Sequence, residues 1–520
     1  MEEPTGTLVE KQLKAPPAKP LQSLLVIVGF LFFYRLVKAP FAPLEFPFYD
    51  DGETLYHAFA VLQGLVPYRD DVTHHFFGYV LPYIILGKII GVHQELLSLV
   101  ATICQVATAF VLYKTISIFA PAKNLLYGLL GGMLFLTARE PFVIGFSPLY
   151  EVSFFMVLLW YLSVLQLKEG RNTLSLSFFI AGLAFTFDQR ALILVFIPFI
   201  SWLVSEDHKF KNLLLCSVYF LLCPILALAY LHINGALNYF YEQTIAYPLF
   251  LRGGSANLFA PFSHLRETPF LVAGAAIGIF GIFLRQKISR SGILLILLAI
   301  PPVLISLFGR RDFDYYTIPL LPLLALWSAV GLNAWGPRPN TGKTSALLYR
   351  PLFILLITAP ILAVFSTCVI AISDEVTNYR GDGSQKIVHY INNEVPSNLS
   401  LFVWGYRPDI YVRTKRVTHL KFVNRQLIHP DAFYVTRTAR QNHVYFPYEI
   451  KFKELFLKRP PDFILLFKQE PLLPSFSDDF IQKQIEANYS IAITSEGATF
   501  GGTPCGFELF RRNKVAEGPL

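Results

Sequence analysis

Long apolar runs separated by short charged loops occupy the chain up to about residue 372, and shorter alternating runs fill the remainder. A helix needs about 20 apolar residues to cross a hydrocarbon core. On that scale the candidate spans are 21–39, 76–91, 97–113, 124–138, 147–167, 173–187, 191–204, 212–232, 269–286, 291–308, 315–335 and 351–372. The pattern predicts a polytopic α-helical membrane protein with roughly eleven to thirteen spans. Beyond it, Leu399–Trp404, Asp462–Lys468 and Gly506–Arg511 read as strands, and segments near 374–395, 437–457 and 475–487 as helices. This is the pattern of a small α/β layer domain. Three parts follow: a polar tail over 1–20, a membrane domain over 21–372 with large polar loops at 40–75 and 233–268, and a C-terminal α/β domain over 373–520.

Composition sharpens this picture. The 520 residues are 54% hydrophobic and 15% charged, with a mean hydropathy of +0.47, whereas soluble domains carry about 25% charged residues. Lys11, Lys14 and Lys19 place the N-terminus in the cytoplasm by the bias of Lys and Arg towards that side. The basic loops Lys168/Arg171, Lys209/Lys211, Lys287/Arg290 and Arg338/Lys343/Arg350 are cytoplasmic on the same rule, which leaves 40–75 and 373–520 outside. Counting from the two ends gives parities that differ by one. The thin segments 76–91 and 124–138, and 173–204 read as one bent element around Asp188-Gln189-Arg190, are where the difference can lie. Cysteines 104, 216, 223 and 368 sit in apolar spans and Cys505 stands alone, so no disulfide framework or CxxC metal site follows. The net charge of +8 is loop bias, with no basic cluster for nucleic acid.

The first outer loop carries the densest chemistry: YDDGETLYHAFAVLQGLVPYRDD, Tyr49 to Asp71. Leu55, Phe59 and Leu62 recur at helical spacing, predicting an amphipathic helix over 52–63 that lies with its apolar side in the lipid headgroups. Asp50 and Asp51 stand at its entrance. Asp50 with Glu53 has capping-box spacing, and acids are favoured at a helix N-terminus. An Asp flanked by another acid at a water–lipid boundary is equally suited to act as a general base towards a hydroxyl. One residue can cap while the other acts.

The run Y-D-D-G-E-x-x-Y-x-A-x-x-V-L-x-G-x-x-P-Y-R-D resembles the first external loop of GT-C glycosyltransferases, nearest to the protein mannosyltransferase and aminoarabinose transferase (family 39-like) branch. His74-His75-Phe76-Phe77-Gly78-Tyr79 is similar to that branch's His-x-Pro-Gly-Tyr, with phenylalanine where the prolines stand. Two later segments follow in the same order: Gly309-Arg310-Arg311-Asp312-Phe313-Asp314-Tyr315-Tyr316 before Ile318-Pro319-Leu320-Leu321-Pro322, and Val403-Trp404-Gly405-Tyr406-Arg407-Pro408-Asp409-Ile410-Tyr411.

The resemblance implies an inverting transfer of a sugar from a polyprenyl-phosphate donor to a lipid, glycan or protein acceptor hydroxyl outside the cytoplasm. Asp50 and Asp51 would be the catalytic acids; the short, insertion-poor layout points to a multi-pass protein of a bacterial inner membrane. Glu53, Tyr56, Asp70, His74, His75 and Tyr315 become candidates for substrate contact. Arg139, Arg190, Arg310 and Arg311 suit the leaving phosphate, since arginine binds phosphate bidentately; the ordinary alternative for each is interfacial snorkelling. Glu151 could join the acid pair around Mg2+ or Mn2+, since some members of that branch use a metal and others do not. For Asp188 and Arg190 the plain alternative is an internal pair inside an apolar stretch. A transporter or lipid flippase, a transferase resembling the O-antigen ligases, and a carrier-lipid-binding relative without catalysis are the competing classes.

Overall fold

A computed structural model gives the architecture. It describes residues 22, 24–29, 49–119, 124–137, 148–169, 172–204, 210–248, 262, 264–285, 290–309, 314–335, 354, 358, 362, 383–405, 407–423, 446–469, 478–500 and 503–513. The expected spans 21–39 and 351–372 lie largely outside these residues.

The helices, in order, are α1 (Tyr49–Leu62), α2 (Leu81–Ile90), α3 (Glu95–Phe119), α4 (Asn124–Thr137), α5 (Pro148–Glu169), α6 (Leu174–Phe187), α7 (Phe196–Val204), α8 (Phe210–Ile233), α9 (Leu237–Tyr241), α10 (Pro269–Arg285), α11 (Arg290–Leu297), α12 (Ile300–Gly309) and α13 (Leu320–Trp335). Among the described residues, Glu95–Phe119, Leu149–Lys168 and Asn212–Ile233 are long and apolar enough to cross a membrane. The thin segments are short helices here, with Phe77–Ile90 and Leu126–Leu136 each below a full crossing length. Segment 173–204 is broken: Asp188 is extended (φ −148°, ψ 135°) between α6 and a 3-10 turn over Gln189–Val195.

Three hydroxyls on α3 are satisfied locally, within their own helix. Thr108, Thr115 and Ser117 donate to the carbonyls of Cys104, Val111 and Tyr113, one turn back on α3. Close helix crossings rest on glycine. A Cβ on Gly331 of α13 would meet Gly278 Cα of α10 at 1.9 Å, and one on Gly182 of α6 would meet Phe220 O of α8 at 2.0 Å. Small residues let backbones approach this closely where no hydrophobic force drives helices together.

The C-terminal part comprises α14 (Ser384–Glu394), β1 (Leu401–Trp404), α15 (Asp409–Arg413), α16 (Phe446–Lys458), β2 (Phe463–Gln469), α17 (Asp478–Asn488), β3 (Tyr489–Phe500) and β4 (Thr503–Arg512). The sheet order is β1-β2-β4-β3, with β1 and β2 parallel and the other pairs antiparallel. Strand β1 is fully buried and packs Phe402 and Trp404 against Phe452 of α16, at ring separations of 5.5 and 5.4 Å. Strand β3 was not expected from its sequence. It is an edge strand rich in Ser and Thr, with Ile491 exposed, so it lacks the apolar run that marks a buried strand.

Gly331→Leu should prevent α10 and α13 from closing. Overpacking a well-filled contact costs about 1–3 kcal/mol, so thermal unfolding of the purified protein in detergent should show a lowered midpoint, with Gly331→Ala the milder variant.

Candidate functional site

Helix α1 starts at Tyr49, so Asp50 and Asp51 occupy its first turn. Their backbone position is fixed; their side chains lie outside the described residues. From Gly52 to Ala60 every residue is buried. The expected placement of the apolar side in lipid headgroups is therefore corrected: both faces of α1 pack against protein.

The polar residues on α1 explain how it tolerates that burial. Glu53 and His57 share one face at i, i+4 spacing, and His57 Nε2 lies 3.2 Å from Glu53 Oε1. His57 Nδ1 lies 2.6 Å from Asp71 Oδ2 at the far end of the loop. All three side chains are at most 4% exposed. Burial disfavours a charge on His57, but the Asp71 and Glu53 carboxylates overcome it and raise its pKa to about 9. His57 is thus an imidazolium at neutral pH, donating from both ring nitrogens.

The loop between helix and bridge is closely specified. Gly64, at φ +88°, follows the last turn, and Leu65 N–H returns to Ala60 O. Tyr68 adopts φ 66°, costly for a residue with a side chain. Three bonds hold it there: its N–H donates to Asp71 Oδ1, its carbonyl accepts from Gln243 Nε2, and its hydroxyl donates to His75 O. Gln243 also accepts from Thr73 N–H, so one amide side chain clamps the loop from 170 residues away. Asp70 is a support, taking Val66 N–H and a bidentate Arg69, whose guanidinium holds its carboxyl below the ordinary range.

The other side of α1 faces the C-terminal layer. A Cβ on Gly52 would lie 3.0 Å from Asp409 N and 3.2 Å from Pro408 Cγ. Tyr56 is fully buried, its hydroxyl accepts from Thr418 N–H at 3.1 Å, and its ring meets Tyr411 at 5.3 Å. Beneath this contact Arg407 and Asp409 form a buried bidentate pair, with both bonds at 2.8 Å. Glu53 and Tyr56, expected at the substrate, are here turned into the protein interior.

The remaining candidates divide. His74 and His75 stack at 4.0 Å beside Tyr247 and Tyr79. Burial, with the Arg190 and His57 charges adding, pushes His75 down to about 3, so it is neutral. A cavity of about 10 Å³, room for one water, lies between His57, Asp71, Thr73 and Tyr79. Arg190 pairs with Asp188 at 2.8 and 2.6 Å, while its guanidinium lies over Tyr316 at 5.1 Å. The internal pair is therefore present, and it leaves Arg190 beside His75 and Tyr316. Glu151 is buried in the first turn of α5, and its Oε2 makes no hydrogen bond. Arg139, Arg310, Arg311 and the Tyr315 side chain lie outside the described residues. Among the described residues no three His, Cys, Asp or Glu side chains converge to hold a metal. The sequence reading missed His57, Gln243, Tyr411 and Thr418. Only His57 carried a local signal, an acid four residues before it and another at the loop's end.

The architecture has solved counterparts. ArnT from Cupriavidus metallidurans bound to undecaprenyl phosphate matches with a TM-score of 0.64 at 11% identity, over 95% of this chain and 99% of that one. Its apo form matches at 0.63 and 10% identity, over 97% and 100%. An Archaeoglobus fulgidus oligosaccharyltransferase tethered to an acceptor peptide matches at 0.50 and 11% identity, over 86% of this chain and 68% of that one. No family model and no curated protein matches the sequence. The fold is that of the GT-C membrane proteins. Within that class it shares its fold with the two ArnT structures.

His57→Leu should leave Asp71 and Glu53 buried without their cation, at a cost of roughly 3–5 kcal/mol, read as a lower unfolding midpoint. The raised pKa also sets a pH signature. The contribution of His57 is complete below its unfolded value of 6.5 and is lost as pH rises through about 9. The wild-type midpoint should therefore fall between pH 7 and pH 10 by more than that of His57→Leu.

Proposed function

We propose that this protein is a membrane glycosyltransferase that moves a sugar from a polyprenyl-phosphate carrier to an acceptor hydroxyl on the outer face of the membrane. The observation that carries the reading is the near-complete match in fold to a structure holding undecaprenyl phosphate, in a chain whose first outer helix opens on two aspartates. Its location would be the bacterial inner membrane, with the N-terminus cytoplasmic and residues 373–520 outside.

In this mechanism the carboxylate of Asp50 or Asp51 accepts the proton of the acceptor hydroxyl as that oxygen attacks the anomeric carbon. The bond from that carbon to the phosphate oxygen breaks on the opposite face, which inverts the configuration. Polyprenyl phosphate leaves carrying the bonding electron pair. The helix N-terminus favours the carboxylate form of the base before reaction. Arginines near the outer boundary, Arg190 and the Arg310/Arg311 pair among them, would balance the leaving phosphate. The Glu53–His57–Asp71 bridge keeps the first turn of α1 in one position, which matters because misplacement of about 1 Å can cost 10²-fold in rate.

The test is release of polyprenyl phosphate from a panel of polyprenyl-phosphate sugars by purified protein supplied with cell-envelope acceptors. Asp50→Asn or Asp51→Asn should reduce release by about 10²–10⁴-fold, the range of general-base catalysis, with an unchanged unfolding midpoint. No release from any donor, or release indifferent to both substitutions, would reject the transferase reading in favour of transport or lipid binding.

A further inference from the structure

Outside the acidic site, two lysines converge on one aromatic ring where the C-terminal layer meets the membrane domain. Lys421 Nζ lies 5.4 Å and Lys451 Nζ 4.9 Å from the centroid of Tyr239 on α9. Arg69 closes the cluster: its carbonyl accepts from Lys421 Nζ at 2.5 Å, and its guanidinium donates to Asn234 O at 3.1 Å. The anions nearby are already engaged, Asp70 by Arg69 and Asp71 by His57. On α16, Glu449 is taken by Lys453. Among the described residues neither Lys421 nor Lys451 forms an ion pair, so two ammonium charges share one ring without a counter-ion.

Two further observations set this cluster apart from ordinary surface lysines. Lys421 stands at φ 66°, a left-handed conformation that a lysine enters only when its surroundings impose it. Its own carbonyl accepts from Val72 N–H, which fixes the strained residue against the first outer loop. Both lysines are also half-buried. Burial moves the Lys421 pKa downwards and the Lys451 charge adds to that, while Asp70 and Asp71 oppose it.

The depth of the cluster identifies its ligand. Helix α8, long and apolar enough over Asn212–Ile233 to cross a membrane, is only 6% buried along its apolar window, and Ile233 is 81% exposed. Asn234, which holds Arg69, is the next residue, and Tyr239 follows within two turns. A tyrosine at that position belongs at headgroup level, where lipid phosphates lie and where each basic side chain adds attraction.

We propose that Lys421, Lys451 and Tyr239, backed by Arg69, form a binding site for a phosphate monoester or diester at headgroup depth, separate from the acidic helix. The ligand is carried by an anionic lipid or arrives as a free phosphate. A phosphate oxygen between the two ammoniums replaces their mutual repulsion with two charge-assisted hydrogen bonds. The Tyr239 ring holds both ammoniums within 5.4 Å of its centroid. The site does not depend on the transferase reading and would exist in a transporter of this fold.

The experiment uses the full-length protein in nanodiscs of phosphatidylcholine doped with phosphatidylglycerol, with bound lipid counted by native mass spectrometry. Among the described residues Lys451 makes no hydrogen bond, so Lys451→Gln is the primary variant, with an unchanged unfolding midpoint expected; Lys421→Gln/Lys451→Gln is the second. Wild-type protein should retain phosphatidylglycerol over phosphatidylcholine, and retention should fall several-fold in Lys451→Gln and about tenfold or more in the double variant. Displacement of the lipid by millimolar inorganic phosphate would assign the site to phosphate from either source. Variant-sensitive retention that phosphate does not displace would assign it to a membrane-anchored phosphate. Equal retention by wild type and both variants would overturn the proposal.

Discussion

A single protonated imidazole held between two buried carboxylates organises the loop that follows α1. His57 joins Glu53 on its own helix to Asp71 at the loop's far end, closing the chain around Gly64 and Tyr68. Without that cation, two acids would be enclosed in an apolar interior, at several kcal/mol each. With it, the loop has one arrangement, and the first turn of α1 is carried into a fixed position. Charge is scarce in this chain, and here it acts as a fastener, one cation shared by two carboxylates.

That fastener acts on one side of α1, and the C-terminal layer acts on the other. Gly52 lets the backbone at Asp409 approach, and Tyr56 spends its hydroxyl on Thr418 N–H. The Arg407–Asp409 pair stiffens the docking segment from within. The Trp404–Tyr411 region therefore has a physical role close to α1.

Much of the helical part was legible because span length and apolar content are properties of consecutive residues. The break at Asp188 was legible too, since a charged triplet inside an apolar run has few places to go. The short helices were less so: α11 and α12 read as one span because Pro301 and Pro302 sit in equally apolar surroundings. At the candidate site, Asp50, Asp51 and Asp70 stood out by spacing. The placement of Tyr56 did not, because it is decided by Thr418, 362 residues away, while Glu53 is turned inward by His57, four residues on along the same helix. Gln243 is a further case, an unremarked amide that determines a loop 170 residues earlier. Strand β3 escaped because an edge strand can be polar on both faces.

The Tyr56–Thr418 contact has a consequence in time. Its two residues are 362 positions apart, and chains emerge at about 5–20 residues per second. For roughly 20–70 s during synthesis, the acidic helix exists without its second support. A ribosome-bound chain that has completed its apolar helices is thus still mechanically unfinished around α1, which acquires its final packing only when Thr418 arrives.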